Sequence, residues 1–312
     1  MAIPPPASSW DAARACPIER TYVPFEGARL ETLSWGSRGR RGILLLHGYG
    51  AAADWWAFVG PLLAPDWRVV ALSFSGNGRS DWRASYNIDL YKREAMACAI
   101  ACGALDTGQM SVVAHSFGAV AGARLAVGHP REVQGFLVVD RAIVQNKRAA
   151  TSRVRKDGDA CFPTLESAIS RFRTRPDATQ VDPTWWRHVA EASVRRVEAK
   201  DSAYWTWRID PAMRQKLTER QPSIAAELAA MPCARAFLHG EGSTLFLAAE
   251  VTEVRRAGIP VIRVPAAGHH LMLEQPIATA SAIDTFAGVF VEHAIGRTNG
   301  SLPRGSHEPS PI

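Results

Sequence analysis

Short apolar runs alternate with segments of helical periodicity along most of this chain, and that alternation predicts its fold class. The run Ile43–Leu46 is apolar at every position, as expected for a central strand covered on both faces. Strands are predicted at Arg20–Glu26, Arg29–Trp35, Ile43–Leu46, Trp67–Leu72, Met110–Ala114, Gly135–Asp140, Ala234–His239 and Pro260–Val264. Helices are predicted at Asp54–Leu63, from Asn87 or Asp89 to Gly103, and at Ala119–Ala126, Leu245–Ala257 and Pro276–His293. This order predicts an α/β fold with a mostly parallel sheet and helices on both faces.

The pattern changes between residues 141 and 231, where strand-like runs disappear and arginines and tryptophans dominate. We expect this segment to form a helical cap. Ligands of parallel sheets bind beyond the carboxyl ends of the strands, so the cap would lie over the site. The predicted division is a flexible leader at 1–18, a core at 19–140 and 232–296, the cap at 141–231, and a disordered tail at 297–312.

Charge and composition narrow the classes of function. Residues 141–220 hold 17 Lys/Arg against 10 Asp/Glu, an excess that would attract an anionic substrate or an acidic partner, or would simply form solvated helix faces. No nucleic-acid motif is present, and the five cysteines lack the spacing of a metal site. No apolar run is long enough to span a bilayer, and the N-terminus does not resemble a signal peptide. We therefore expect a cytoplasmic protein without metal or cofactor and with no nucleic-acid or membrane partner.

A nucleophile is predicted at Ser116, at the junction between the strand ending at Ala114 and the helix that follows. A serine on such a tight turn is held above the sheet edge with its oxygen exposed. The turn brings two backbones close together, which requires small neighbours, and Gly118 supplies one. Ala114 replaces the glycine usual two residues before the nucleophile, which is the mildest departure from that pattern.

A serine hydroxyl needs a base, and a histidine after the last strand is expected to supply it. His269 directly follows Gly268 and is our candidate. The base in turn needs a carboxylate. The loop after Ala234–His239 has no aspartate, because Ser243 stands where one is expected. Asp140 at a strand end is favoured over Glu241 as the acid, although it could instead form a salt bridge with a cap arginine such as Arg141.

Other residues are candidates for binding the substrate. The backbone N–H groups of Phe117 and Tyr49 are predicted to stabilise the oxyanion. His47 and His115 are interpreted as structural, and His270 as packing, capping or lining the substrate pocket. Trp205 and Trp207 would form either an aromatic wall of the pocket or the core of the cap itself.

Four motifs in order resemble those of the α/β-hydrolase fold superfamily over roughly residues 20–295. They are His47-Gly-Tyr-Gly50, Ser75-Gly-Asn-Gly-Arg-Ser80, Ala114-His-Ser-Phe-Gly118, and Gly268-His269 with Glu274 and Pro276. The resemblance implies an eight-stranded sheet with the second strand antiparallel and a cap after the sixth. It also implies a catalytic triad, in which Ser116 is the nucleophile and His269 the base. Most members place the acid after the seventh strand and some after the sixth, where Asp140 stands.

The nucleophile type narrows the expected reaction. Relatives that dehalogenate or open epoxides use an aspartate at this position, so Ser116 argues against both activities. The leading hypothesis is a serine hydrolase that cleaves a carboxylic ester or related acyl bond through an acyl-enzyme, acting on an aromatic or anionic small-molecule substrate. The alternatives are a non-catalytic ligand-binding member of the fold, or a carbon–carbon bond hydrolase, perhydrolase or acyltransferase using the same triad.

Overall fold

Eight strands form one mostly parallel sheet in the computed structural model, which describes residues 15–143, 160–199, 202–219, 222–245 and 248–290. The strands of this sheet are β1 (Glu19–Phe25), β2 (Ala28–Trp35), β3 (Gly42–Leu46), β4 (Arg68–Leu72), β5 (Met110–His115), β6 (Val133–Val139), β9 (Ala234–Gly240) and β10 (Val261–Val264). Their order across the sheet is β1-β2-β4-β3-β5-β6-β9-β10, and β2 runs antiparallel to both of its neighbours. The predicted fold class is therefore confirmed.

Helices connect the strands on both faces of the sheet. In chain order they are α1 (Gly60–Leu63), α2 (Ile88–Ala101), α3 (Gly118–Gly128), α4 (Leu165–Ile169), α5 (Pro183–Ala192), α6 (Met213–Lys216), α7 (Ala225–Ala230), α8 (Ala248–Arg256), α9 (Leu271–Glu274) and α10 (Pro276–Thr285). Asn87 starts α2 by accepting the Leu90 N–H on its side chain at 2.7 Å. None of the helices in the described ranges is long and apolar enough to cross a bilayer.

Alternate residues of the central strands enter two separate hydrophobic cores, one on each face of the sheet. Leu44 and Leu46 of β3 belong to one core, whereas Ile43 and Leu45 belong to the other. All four side chains are fully buried. Because successive strand residues point to opposite faces, a strand covered on both sides must be apolar throughout, which is the pattern that predicted it.

Three predicted helices differ from those observed. The helix expected at Asp54–Leu63 is broken into a 3-10 turn, Ala53–Trp56, and the single turn α1, and the Asp54 carboxylate pairs with Arg20 instead of capping. The helix expected from Leu245 is observed as α8 from Ala248; Leu245 itself is not helical, and residues 246–247 lie outside the described ranges. The last predicted helix is α-helical only over α10 and continues as a π-helical turn at Phe286–Phe290. Its predicted final residues lie outside the described ranges.

The segment inserted after β6 is not wholly helical, so the predicted helical cap needs correction. It contains α4 to α7 and also an antiparallel hairpin of β7 (Val194–Glu198) and β8 (Ala203–Trp207). Tyr204, Trp205, Thr206 and Trp207 have high strand propensity, which explains the hairpin. The division into cap and core remains a prediction; residues 1–14 of the predicted leader and the whole predicted tail lie outside the described residues.

The alanine in the nucleophile motif is accommodated by a glycine on the helix that packs over it. A Cβ on Gly122 of α3 would lie 3.0 Å from the Cβ of Ala114 and 2.8 Å from a ring carbon of Phe136. Real Cβ atoms essentially never approach another atom to 2.8 Å, and a distance of 3.0 Å is shorter than most real Cβ contacts. The methyl group that Ala114 adds to the strand therefore occupies space that Gly122 leaves on the helix.

We expect Gly122→Val to lower the free energy of unfolding by about 2–3 kcal/mol, because the added methyl groups overpack the contact with Ala114 and Phe136. The matched control is Gly128→Val at the end of α3, where an added Cβ would meet nothing within 4 Å. That variant should change stability by less than about 1 kcal/mol. Urea denaturation measures both, and equal losses would contradict the packing argument.

Candidate active site

Ser116 occupies a strained turn between β5 and α3. Its φ is 49°, a left-handed value that is rare for residues with a side chain. The turn also brings segments into close contact: a Cβ on Gly118 would lie 2.5 Å from the carbonyl oxygen of His47. A Cβ on Gly48 would lie 3.2 Å from the Cβ of Ser116. Glycine is therefore required at both positions for the His47–Gly50 turn to lie against Ser116.

His269 lies on the loop after β10 and contacts both predicted partners. Its Nε2 lies 3.1 Å from the Oγ of Ser116, and its Nδ1 lies 2.8 Å from Oδ1 of Asp140. The imidazole is 5% exposed and Asp140 is fully buried. Because the carboxylate accepts, Nδ1 carries the proton and Nε2 presents its lone pair to the serine hydroxyl. The structure thus brings together the three residues that the sequence proposed as nucleophile, base and acid.

The Asp140 carboxylate accepts three hydrogen bonds. Its Oδ2 accepts from the backbone N–H of Gly240 at 2.9 Å, and its Oδ1 accepts from the hydroxyl of Ser243 at 2.6 Å as well as from His269. Both added donors belong to the end of β9 or the loop behind it. Ser243, which stands where the sequence suggested a missing aspartate, therefore contacts the aspartate at the end of the neighbouring strand.

The alternatives considered for the acid lie elsewhere. Glu241 is 47% exposed and pairs with Arg263 at 3.0 Å rather than with His269. Arg141 forms no ion pair with Asp140; its guanidinium instead donates to the carbonyl oxygens of Ser116 and Pro222. Burial lowers the pKa of Arg141 to about 10.

Two further residues, Glu274 and His115, fix the loop that carries His269. The Glu274 carboxylate accepts from the N–H of Gly268 at 2.7 Å and from the N–H of Thr179, in the inserted segment, at 2.7 Å. His115 donates from Nε2 to the carbonyl oxygen of His269 at 2.9 Å. The sequence places Glu274 only within the last of the four motifs and gives Ser243 no role. The sequence shows that Ser243 and Glu274 are polar and lie near the candidate residues. Which atoms their side chains contact depends on the fold and cannot be read from the sequence.

The turn predicted to supply an oxyanion donor is held by His47. This ring is buried; its Nδ1 donates to the carbonyl of Gly48 at 2.7 Å and its Nε2 accepts from the N–H of Phe74 at 3.0 Å. Burial lowers the pKa of His47 to about 4, so it is neutral near pH 7. The adjoining Tyr49 ring packs edge-on against the ring of Phe117, with centroids 5.8 Å apart.

The pocket candidates have different environments. Trp207 packs against Phe162 and Phe172 with centroids 5.2 and 6.4 Å apart, which favours the packing role that the sequence left open. Trp205 is partly exposed and exchanges backbone hydrogen bonds with Phe162. His270 is buried, and its Nε2 donates to the carbonyl oxygen of Pro176 at 2.9 Å. Burial lowers the pKa of His270 to about 3.

The chain matches the sequence family described as "Alpha/beta hydrolase family" over residues 43–282, which is more than half of its length. It is 29% identical to the lipase LipV of Mycobacterium tuberculosis over 190 residues, covering 59% of this chain and 68% of that protein. It is 25% identical to the 3-hydroxybutyrate-oligomer hydrolase of Cupriavidus necator over 279 residues, covering 83% of this chain and 93% of that protein.

Solved structures share the fold. The structure of E-2-(acetamidomethylene)succinate hydrolase superposes with a TM-score of 0.74 at 20% identity, covering 86% of this chain and 99% of the other. The thioesterase domain from the curacin biosynthetic pathway superposes with a TM-score of 0.69 at 21% identity and the same coverage of this chain. At this level of identity the likeness extends to the fold alone.

Proposed function

Because this chain belongs to the alpha/beta hydrolase family, we propose that it hydrolyses carboxylic esters through an acyl-enzyme formed on Ser116. His269 is the general base and Asp140 is the acid of the triad. The observation that carries the proposal is the continuous hydrogen-bonded path from the Ser116 hydroxyl through His269 to a buried carboxylate, with contacts of 3.1 and 2.8 Å. The names of the relatives, a lipase and an oligomer hydrolase, support the same class of reaction.

The proposed reaction proceeds in two halves. The Ser116 oxygen attacks the ester carbonyl while Nε2 of His269 takes its proton, and the resulting imidazolium is stabilised by Asp140. The backbone N–H groups of Tyr49 and Phe117 stabilise the oxyanion. His269 returns the proton to the departing alkoxide, which leaves as the alcohol. In the second half water attacks the acyl-serine, again with His269 as base, and Ser116 is regenerated as the acid product leaves.

The geometry favours catalysis over the alternative of a ligand-binding protein without activity. That alternative arose because the loop after β9 lacks an aspartate. Asp140 lies 2.8 Å from His269 and accepts two further hydrogen bonds, so a carboxylate is available to orient the base. The carbon–carbon hydrolase, perhydrolase and acyltransferase alternatives use the same residues, and no contact described above favours one of them over ester hydrolysis.

We further propose that the acyl substrate carries a negative charge, because one arginine of the inserted segment, Arg208, has a buried side-chain nitrogen without a hydrogen-bond partner among the described residues. Arg20 contacts the carboxylates of both Glu31 and Asp54, and Arg79 pairs with Glu31 at 3.3 Å. The carboxylates of Glu31 and Asp54 thus already pair with two arginines. The guanidinium of Arg208 is the third positive group near them. Its Nε is buried without a hydrogen-bond partner in the described residues. Burial and the charge of Arg79 together lower the pKa of Arg208.

The two residues after Arg208, Ile209 and Asp210, contact loops at the site edge. A Cβ added to Gly50, in the turn that adjoins Ser116, would lie 3.5 Å from the side-chain Cδ1 of Ile209. Asp210 donates its N–H to the carbonyl oxygen of Gly76 at 2.8 Å. A partly buried cation whose nearby carboxylates already pair with other arginines is incompletely neutralised, and a carboxylate on the substrate would offset that cost.

Ser116→Ala should abolish hydrolysis of short p-nitrophenyl esters, with a loss of at least about 10⁴-fold in kcat, because the acyl-enzyme cannot form. Labelling by a fluorophosphonate probe should disappear with it. The control is Ser281→Ala, an exposed serine on α10, which should retain activity and labelling. An unsubstituted protein that neither reacts with the probe nor cleaves any ester of the series would contradict the proposal.

Asp140→Asn should lower kcat by roughly 10³-fold, because an amide cannot stabilise the imidazolium and can favour the wrong tautomer of His269. Glu241→Gln removes the same charge from the exposed competitor and should change kcat by less than about twofold. Steady-state kinetics on one p-nitrophenyl ester compares the two variants. The reverse ranking would move the role of the acid to Glu241.

Arg208→Gln should reduce kcat/KM for p-nitrophenyl hemisuccinate by about tenfold or more relative to p-nitrophenyl butyrate, a neutral ester of the same acyl length. The reason is that a hydrogen bond to a charged group contributes roughly 1.5–3 kcal/mol. The matched control is Arg187→Gln, which removes an exposed arginine paired with Glu166. If Arg187→Gln lowers the ratio equally, the effect belongs to net charge and not to a site at Arg208.

A further inference from the structure

Three buried histidines lie together beneath the nucleophile turn. One ring nitrogen of each of His115, His269 and His270 lies within 4.8 Å of those of the other two. Ring centroids are 4.5 Å apart for His115 and His269, and 4.8 Å apart for His269 and His270. The proposed reaction uses only His269 as a base. His115 and His270 each use one ring nitrogen in a bond to a backbone carbonyl, and the reaction gives their second ring nitrogens no role.

Each of these rings has one nitrogen fixed as a hydrogen-bond donor by an oxygen that can only accept. For His115 the acceptor is the carbonyl of His269, and for His270 it is the carbonyl of Pro176. For His269 it is the carboxylate of Asp140. The opposite nitrogen of every ring therefore carries a lone pair and no proton. Oxygen acceptors behind metal-binding histidines set the tautomer and ring orientation in the same way.

One lone pair faces Ser116, and a second faces Gly48 in the turn that lies against Ser116. Nε2 of His269 lies 3.1 Å from the Ser116 Oγ. Nδ1 of His115 faces the same turn, 2.9 Å from where a Cβ on Gly48 would lie. The third, Nδ1 of His270, is buried and has no hydrogen-bond partner among the described residues. An unpaired acceptor in the protein interior carries a desolvation cost that a ligand would offset.

We propose that His115, His269 and His270 bind a transition-metal dication of the zinc type. Imidazole nitrogens are good ligands for Zn²⁺ and Cu²⁺. Mg²⁺ prefers oxygen ligands and is not expected to bind there. Tetrahedral zinc with Zn–N bonds of about 2.0–2.1 Å needs nitrogens about 3.3 Å apart, so the three rings must close slightly from their present spacing. Water occupies the fourth position, on the side of Ser116.

Binding of the metal inhibits hydrolysis reversibly. A metal on Nε2 of His269 takes the lone pair that would accept the Ser116 proton, so the bound protein lacks its base. Only this inhibition rests on the function proposed above. The binding itself depends on the three imidazoles and persists when Ser116 is replaced.

The binding test uses the full-length Ser116→Ala protein and isothermal titration with ZnCl₂, and with MgCl₂ as the hard-cation control. We expect one zinc per chain and no magnesium. Adding His270→Gln, which keeps an N–H for Pro176 but removes the imidazole, should raise the zinc Kd at least about tenfold. His129→Gln removes a partly exposed histidine at the end of α3 and should leave the Kd unchanged. Equal zinc affinity in the His270→Gln and His129→Gln proteins overturns the proposal.

Two measurements on the unsubstituted protein complete the test and do not depend on the folding of any variant. Cobalt(II) should bind with the intense visible absorption of a tetrahedral site, and the weak spectrum of octahedral cobalt would overturn the proposal.

Zinc should also inhibit ester hydrolysis, and EDTA should restore it. Zinc binding in a protein that hydrolyses no ester would leave the metal site standing and remove the proposed function. Ester hydrolysis unaffected by zinc at concentrations well above its Kd would overturn the metal site.

Discussion

The buried carboxylate of Asp140 is the group on which the geometry of the site depends. Asp140 directly follows β6, yet its hydrogen-bond donors come from β9, from the loop behind β9 and from the loop after β10. Burying a carboxylate is costly unless hydrogen-bond donors or a counterion compensate for the lost water. The buried Asp140 carboxylate therefore depends on all three of its donors. Ser243 and Gly240 thereby hold the acid in place, and the acid holds His269. Loss of any one donor would leave a buried charge partly unsatisfied.

The same sheet edge carries strain at two adjacent strand ends. Ser116 after β5 and Asp140 after β6 both have left-handed backbone, with φ of 49° and 47°. Such conformations persist only where the surroundings impose them. The bonds of Ser116 N–H to Val139 and of Asp140 N–H to Leu238 continue the ladder of the sheet through each turn. The two side chains are therefore directed towards the loop of His269 by the sheet itself.

Much of this arrangement could be predicted from sequence because it depends on local pattern. Apolar runs located the strands, and the strand–serine–helix junction located the turn that carries Ser116, the proposed nucleophile. The acid could only be ranked, because its choice depends on β6 and β9 being neighbours in the sheet, which spacing along the chain does not reveal. For the same reason, the sequence showed only that Ser243 stands where an aspartate is expected, and not that its hydroxyl would contact Asp140. The β7–β8 hairpin was missed because its two strands are five residues each, and arginines between apolar positions also fit a helix.

The arrangement that orients the base also explains the metal chemistry inferred for this site. A general base must present an unprotonated nitrogen to the serine, so an oxygen has to fix the proton on the other nitrogen of His269. His115 supports the same loop by donating to the His269 backbone, and His270 links it to the inserted segment through Pro176. Each support consumes one N–H and leaves one lone pair. The same hydrogen bonds that would orient His269 as the proposed base therefore leave three imidazole nitrogens unprotonated, and the proposed zinc affinity would follow from them.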